Sequence, residues 1–171
     1  MDKTELAKRV KDAAYLEGDF LLRSGKRSRY YLDKYLFETQ PDILAELGRR
    51  LAEFAGDVDL IAGPELGAVA LAAATSMAAG KPFAIVRKGQ KDYGTAKLIE
   101  GADVGGKTVL LVEDVGTTAG AALEAAETLT QAGAKIKRLV FAMDRMQGAR
   151  ENVEAAGFAF EAILTKDDLG I

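Results

Sequence analysis

Leu6, Val10 and Ala14 fall four apart near the start of the chain, the spacing of one face of a helix. Asp2 followed by Glu5 gives that helix a capping start. The stretch GDFLLRSGKRSRYYLDKY predicts two short strands around a Ser24-Gly25 turn. Pro41 opens a second helix with Ile43, Leu47, Leu51 and Phe54 on one face, and Gly56 ends it. From there, short apolar runs alternate with helical segments. VDLIAG (58–63), KPFAIVRK (81–88), TVLLVED (108–114), KRLVFAMDR (137–145) and FEAILT (160–165) predict strands. AVALAAATSMAAG (68–80), residues 120–132 and ARENVEAAG (149–157) predict helices, the first stopped by Gly80. Between the second and third of these strands lies GQKDYGTAKLIEGADVGG (89–106), polar, rich in glycine and without an apolar period. A loop of that length in a compact domain is usually a lid or a binding loop.

Strands alternating with helices imply an α/β fold with a mostly parallel central sheet flanked by helices. Ligands of such sheets bind beyond the carboxyl ends of the strands. Four loops leave those ends: 63–67, 87–101, 113–120 and 144–148. No internal repeat, low-complexity tract or linker divides the 171 residues, so one domain is expected: an N-terminal helix and hood segment over 1–40, and a core over 41–171.

Composition narrows the chemistry by exclusion. The chain has no cysteine, which removes disulfides, thiol nucleophiles and thiolate metal sites. It has no histidine, the commonest general base and metal ligand. Any catalysis must rest on Lys, Arg, Asp, Glu, Tyr or backbone groups. A net charge of −3 gives no general attraction to nucleic acid or membrane. The start MDKTELAKRV is charged and holds no apolar stretch of signal-peptide type, and no apolar run reaches a membrane-spanning length. A cytoplasmic protein is expected.

The segment VLLVEDVGTTAG (109–120) carries the sharpest signal. An apolar strand ends in two acids, Glu113 and Asp114, and a loop of tiny residues leads into a helix. Small residues at a helix N-terminus let backbone N–H groups face an anion, and Thr117 and Thr118 add hydroxyl donors. That is a phosphate cradle. The acids repel phosphate but suit the hydroxyls of a sugar, or a metal carried by a phosphorylated sugar. The combination asks for a ribose bearing a phosphate. The plainer alternative is an acidic strand end followed by an ordinary loop. Neither a G-x-G-x-x-G nor a Walker A pattern is present.

VLLVEDVGTTAG resembles the binding motif of the type I phosphoribosyltransferases for 5-phospho-α-D-ribosyl 1-diphosphate (PRPP). Three further segments resemble the orotate phosphoribosyltransferases among them. RKGQKDYGTAKLIEG (87–101) is similar to their mobile catalytic loop, FLLRSGKRSRYYLD (20–33) to their hood, and FAMDRMQGARENV (141–153) to their Asp-Arg loop. The match covers nearly the whole chain in the family's order. It implies transfer of the phosphoribosyl group of PRPP to orotate, giving orotidine 5′-monophosphate and pyrophosphate in pyrimidine (UMP) biosynthesis. It also implies Mg²⁺ carried by PRPP rather than held by protein ligands, and a homodimer with shared sites. The rival readings are a non-catalytic PRPP-binding regulator, and a type I transferase for a purine or uracil.

The resemblance assigns roles. Glu113 and Asp114 hold the ribose hydroxyls, and Gly116, Thr117, Thr118, Ala119, Gly120 and Ala121 form the 5′-phosphate cradle. Arg87, Lys88, Lys91 and Tyr93 serve PRPP and its diphosphate, with Lys91, Lys88 and Asp114 as the catalytic set. Arg145 pairs with the orotate carboxylate, and Thr117, Arg23, Lys26 and Tyr31 contact orotate. The sequence also departs from the family. Gly116 replaces a β-branched residue, Ala119 a glycine and Ala121 a hydroxyl residue. Gly120 is expected to supply the backbone freedom that Ala119 lacks, and a cradle short of one hydroxyl to bind PRPP more weakly. The GPELGA turn (63–68) lacks a lysine that some members place there, so 65–67 is expected to act through backbone groups only. Gly89, Gly94 and Gly101 are the expected flexible points of the long loop.

Overall fold

The apolar runs stack into one six-stranded sheet because each must bury both faces. The computed structural model describes residues 1–21, 25, 27–89 and 97–171. Its elements are α1 (Lys3–Ala14), β1 (Tyr15–Leu21), β2 (Arg27–Leu32), α2 (Lys34–Glu38), α3 (Pro41–Ala52), β3 (Leu60–Pro64), α4 (Ala68–Ala79), β4 (Phe83–Val86), β5 (Ile99–Gly101), β6 (Thr108–Gly116), α5 (Gly120–Gln131), β7 (Lys135–Asp144), α6 (Ala149–Ala155), β8 (Phe160–Thr165) and α7 (Lys166–Leu169). The sheet order is β5-β4-β3-β6-β7-β8, and β1 and β2 form a separate antiparallel pair. All neighbours in the large sheet are parallel except β4 and β5. The α/β fold with a mostly parallel sheet and helices on both faces is as expected.

Alternation along each strand divides the core in two. Ile61, Leu110, Val112, Val140 and Ala142 pack with Leu6 and Val10 of α1, Ile43, Leu47 and Leu51 of α3, and Leu71 of α4. Leu60, Ala62, Val109, Leu111, Leu139 and Phe141 pack with Ala122, Ala126 and Leu129 of α5 and Val153 of α6. The small residues of α4 have a steric reason. A Cβ on Gly48 of α3 would lie 2.7 Å from the Cβ of Ala74, so these two helices touch almost backbone to backbone. The capping start of α1 is present, with the Asp2 side chain accepting from the Glu5 N–H at 2.8 Å.

Three elements lie outside the expected set: α2, β5 and α7. All are three to five residues long, too short to show a period. α7 is fixed by a capping box between Thr165 and Asp168. β5 changes the reading of the long loop. Gly101 ends this edge strand at φ +90°, and a Cβ there would meet the Phe83 carbonyl oxygen at 2.7 Å. It is a packing position, not a flexible point. Gly94 lies outside the described residues.

The parallel topology brings the carboxyl ends of four strands to one edge. Pro64 of β3 is level with Val86 of β4, and Gly116 of β6 is level with Asp144 of β7. α2 joins the β1–β2 pair to α3 along this edge.

Candidate active site

A cleft of about 560 Å³ opens at that edge. Its floor is the end of β6. Glu113 and Asp114 are 7% and 3% exposed there. The Glu113 Oε1 accepts the Asp114 N–H at 3.0 Å, and Asp114 Oδ1 accepts the Val115 N–H. Asp114 Oδ2 accepts from the Lys34 ammonium at 2.5 Å. Lys34 was not among the residues picked from the sequence. It stands one position beyond the hood segment that carried the resemblance, at the start of α2.

The charge balance of this floor follows from burial. Burial, then the neighbouring Asp114 charge, pushes the Glu113 carboxyl well above the usual carboxylate range. Glu38, one turn after Lys34 and 2% exposed, is pushed up to about 8 by burial first and the Asp114 charge second, and its Oε1 has no hydrogen-bond partner among the described residues. Burial opposes the charged form of Lys34, but the bond to Asp114 outweighs it and holds the ammonium above its ordinary value. The ion pair of the floor is Lys34 with Asp114, and burial favours the protonated forms of Glu38 and Glu113.

Glu38 makes stability depend on pH in a defined direction. Unfolded, its carboxyl ionises near 4.5, and folded only near 8. The protonated form is the one that the fold accepts. The full contribution is thus present below about pH 4.5 and is lost as pH rises through about 8. Glu38→Gln keeps the shape without the charge. It is expected to melt with wild type at about pH 4.5 and to be more stable by on the order of 2–4 kcal/mol at about pH 9. Melting curves that stay parallel across that range would remove Glu38 as the cause.

The wall beyond Asp114 is the cradle. Thr117, Thr118, Gly120 and Ala121 are exposed and line the cleft. Ala119 sits at the N-cap of α5 with φ +64°, and no side chain caps the helix there. The left-handed turn is made by Ala119 itself, and Gly120 is the first helical residue, so the expected role of Gly120 is not what the structure has. A left-handed non-glycine residue costs roughly 1–2 kcal/mol. The buried Ala119 methyl, packed with the α5 side of the core, helps offset it. Gly116 also has a local reason. A Cβ there would meet Phe141 at 3.0 Å and Ala149 at 3.2 Å, so the space of a side chain is already filled from β7 and α6. Asn152 of α6, likewise missed in the sequence, donates to the Thr118 carbonyl at 2.9 Å and pins the loop.

Opposite the cradle lies the turn 64–68, with a cis peptide between Glu65 and Leu66. The Glu65 carboxylate accepts the Lys88 N–H at 2.6 Å and ties this turn to the segment after β4. At Gly67 a Cβ would fall 1.6 Å from Asp114 Oδ2 and 2.8 Å from the Lys34 ammonium. The missing side chain is the room in which this ion pair sits.

The last wall is the β7–α6 turn. Asp144, 6% exposed, accepts the Met146 N–H at 2.8 Å and shapes a turn in which Met146 takes φ +56°. The Arg145 N–H donates to the Gly116 carbonyl at 2.9 Å, and Arg145 lines the cleft. Tyr31 and Lys88 line it too. Arg87 does not. Its Nε lies 3.4 Å from the Gly89 carbonyl oxygen and its N–H bonds to Leu98. Arg23, Lys26, Lys91 and Tyr93 lie outside the described residues.

The arrangement offers a buried acid pair, an open helix start and an arginine facing one cavity. Among the described residues, no group of three Asp or Glu side chains is placed to hold a metal ion. No helix described is long and apolar enough to cross a membrane.

Comparison with known proteins agrees with this geometry. The family model of the phosphoribosyl transferase domain matches residues 37–168. The orotate phosphoribosyltransferase of Methanopyrus kandleri is 45% identical over 170 residues, covering 99% of this chain and 92% of that protein. That of Pyrococcus abyssi is 42% identical over 98% of this chain and 94% of its own. The crystal structure of Mycobacterium tuberculosis orotate phosphoribosyltransferase in complex with PRPP superposes with a TM-score of 0.87 at 32% identity, covering all of both chains. Similarity of this extent over the full length, in a chain with this fold, shows that it belongs to the orotate phosphoribosyltransferase family.

Proposed function

We propose that the chain transfers the phosphoribosyl group of PRPP to orotate, releasing pyrophosphate and forming orotidine 5′-monophosphate for pyrimidine biosynthesis. The observation that carries this is the single cleft in which the Glu113–Asp114 pair, the open start of α5 and Arg145 converge. The 5′-phosphate accepts from the first N–H groups of α5 and the hydroxyls of Thr117 and Thr118. The ribose hydroxyls donate to Asp114 and Glu113. Arg145 pairs with the orotate carboxylate, where a planar two-pronged donor suits a planar two-oxygen acceptor. A ring nitrogen of orotate, its proton released to solvent, forms the new bond to C1 of the ribose as the bond from C1 to the diphosphate oxygen breaks, and the electron pair leaves with pyrophosphate. Little proton transfer is required, so a chain without histidine is not handicapped; orientation and fixed charge do the work.

Magnesium would be carried by the hard oxygens of PRPP, while Glu113 and Asp114 would hold the ribose hydroxyls beside it. When bound, it offsets charge on the departing diphosphate. The protein acts in the cytoplasm as a homodimer, with Lys91 of one chain serving its neighbour's site. Mixing Lys91→Ala chains with Asp114→Asn chains, each inactive, is expected to restore activity through hybrid sites. No recovery after verified subunit exchange means that each chain completes its own site.

The function is tested by a base screen. Incubation with PRPP, Mg²⁺ and orotate, uracil, adenine or hypoxanthine is expected to release pyrophosphate with orotate alone. Turnover of another base, or PRPP binding without any turnover, selects one of the rival readings instead.

A further inference from the structure

Lys34 is the one cation that the described structure places on the acid floor, and the proposed reaction leaves it without a task. Its ammonium sits where three segments meet: the start of α2, the end of β6 and the turn 64–68. It is a third exposed, against 4% for the Asp114 carboxylate beneath it. Lys34 covers Asp114 on the side of the cleft from which a sugar would arrive. Its Oδ1 is taken by the Val115 N–H and its Oδ2 by Lys34. The Asp114 side chain is only 4% exposed beneath Lys34, so a ribose hydroxyl reaches it by moving the ammonium aside. Glu38, one turn along the same helix, offers no alternative anion near neutral pH, because burial keeps it protonated.

The order of parts in the substrate says where the displaced ammonium goes. With the 5′-phosphate on residues 117–121 and the hydroxyls on Asp114, the C1 substituent points away from the cradle, toward the turn 64–68. That turn has no basic residue of its own. The Lys34 ammonium already lies over it, 2.8 Å from where a Gly67 Cβ would be, and Lys88 is tied to its other end through Glu65.

We propose that Lys34 is an exchange cation: it balances Asp114 in the empty site, passes Asp114 to the ribose hydroxyls when PRPP binds, and takes the diphosphate as its new partner. This rests on the assignment of PRPP as substrate. It gives Lys34 a diphosphate-reading role and makes Gly67 the residue that leaves room for the exchange.

The test compares ligands with and without the diphosphate. Calorimetry on wild type, Lys34→Met and Lys34→Gln uses PRPP, ribose 5-phosphate and inorganic pyrophosphate, each with Mg²⁺. Loss of one charge-assisted bond is expected to weaken PRPP and pyrophosphate about 10- to 150-fold. Ribose 5-phosphate is expected to bind the variants as tightly as wild type or more tightly, because in wild type it displaces the ammonium from Asp114 without offering it a new partner. Equal weakening of PRPP and ribose 5-phosphate, or no change in either, overturns the proposal and leaves Lys34 as a holder of Asp114. Wild type that binds no PRPP overturns the substrate assignment instead. Wild-type protein supplies a second measurement that does not depend on a variant folding. Pyrophosphate with Mg²⁺ is expected to slow acylation of Lys34, mapped by mass spectrometry, and an unchanged labelling rate contradicts the exchange.

Discussion

Arg145→Ala is expected to lose orotate turnover by about 30- to 5,000-fold while binding PRPP with nearly wild-type affinity. The range corresponds to the roughly 2–5 kcal/mol cost of removing one side of a desolvated, hydrogen-bonded charge pair. The split follows from position. Arg145 reaches the cleft from the β7–α6 turn, whereas the acid pair and the cradle belong to β6 and α5. The backbone bond from Arg145 N–H to Gly116 does not depend on the side chain, so the turn survives the substitution. Steady-state kinetics with orotate and PRPP calorimetry on one preparation decide it. Unchanged orotate kinetics remove Arg145 from the site.

Gly67→Ala is the smallest change with a comparably large effect. Gly67 has φ −58° and ψ −45°, ordinary helical values that alanine adopts freely, so the backbone has no reason to object. The methyl would nevertheless sit 1.6 Å from Asp114 Oδ2. Either the carboxylate or the turn must move by more than an ångström. A misplacement of about that size at a reacting centre can cost on the order of 10²-fold. PRPP affinity and turnover are both expected to fall by about that factor, with the folded spectrum of the protein retained. A Gly67→Ala variant that binds PRPP like wild type would show that Asp114 does not meet the sugar.

The contrast between Gly67 and Asp114 shows what a linear sequence gives and withholds. Asp114 was legible because the chemistry lies along the chain: an apolar run, two acids, then tiny residues at a helix start. The five main parallel strands were legible for the same reason, since burial on both faces writes an unbroken apolar run. Gly67 and Lys34 matter through neighbours dozens of residues away, and no local pattern records such a meeting. β5 was hidden because three edge residues with one apolar side chain carry no period. The altered cradle was misjudged in detail for a related reason. Whether Gly116 fits depends on Phe141 and Ala149, and whether Ala119 turns left-handed depends on the core behind it. Both compensations are tertiary.

Two cross-links described above tie the loop after β6 to the segment after β7: Arg145 N–H to the Gly116 carbonyl, and the Asn152 amide to the Thr118 carbonyl. On the proposed function they join the phosphate end of the cleft to the base end, and both use main-chain oxygens on the cradle side. The spacing of the two backbone segments is therefore held by hydrogen-bond length at both cross-links. The site acts as a gauge of fixed span. A base carrying its carboxylate one bond too far from the ring nitrogen, or a sugar with its phosphate one carbon out, fails by distance even when every charge is correct.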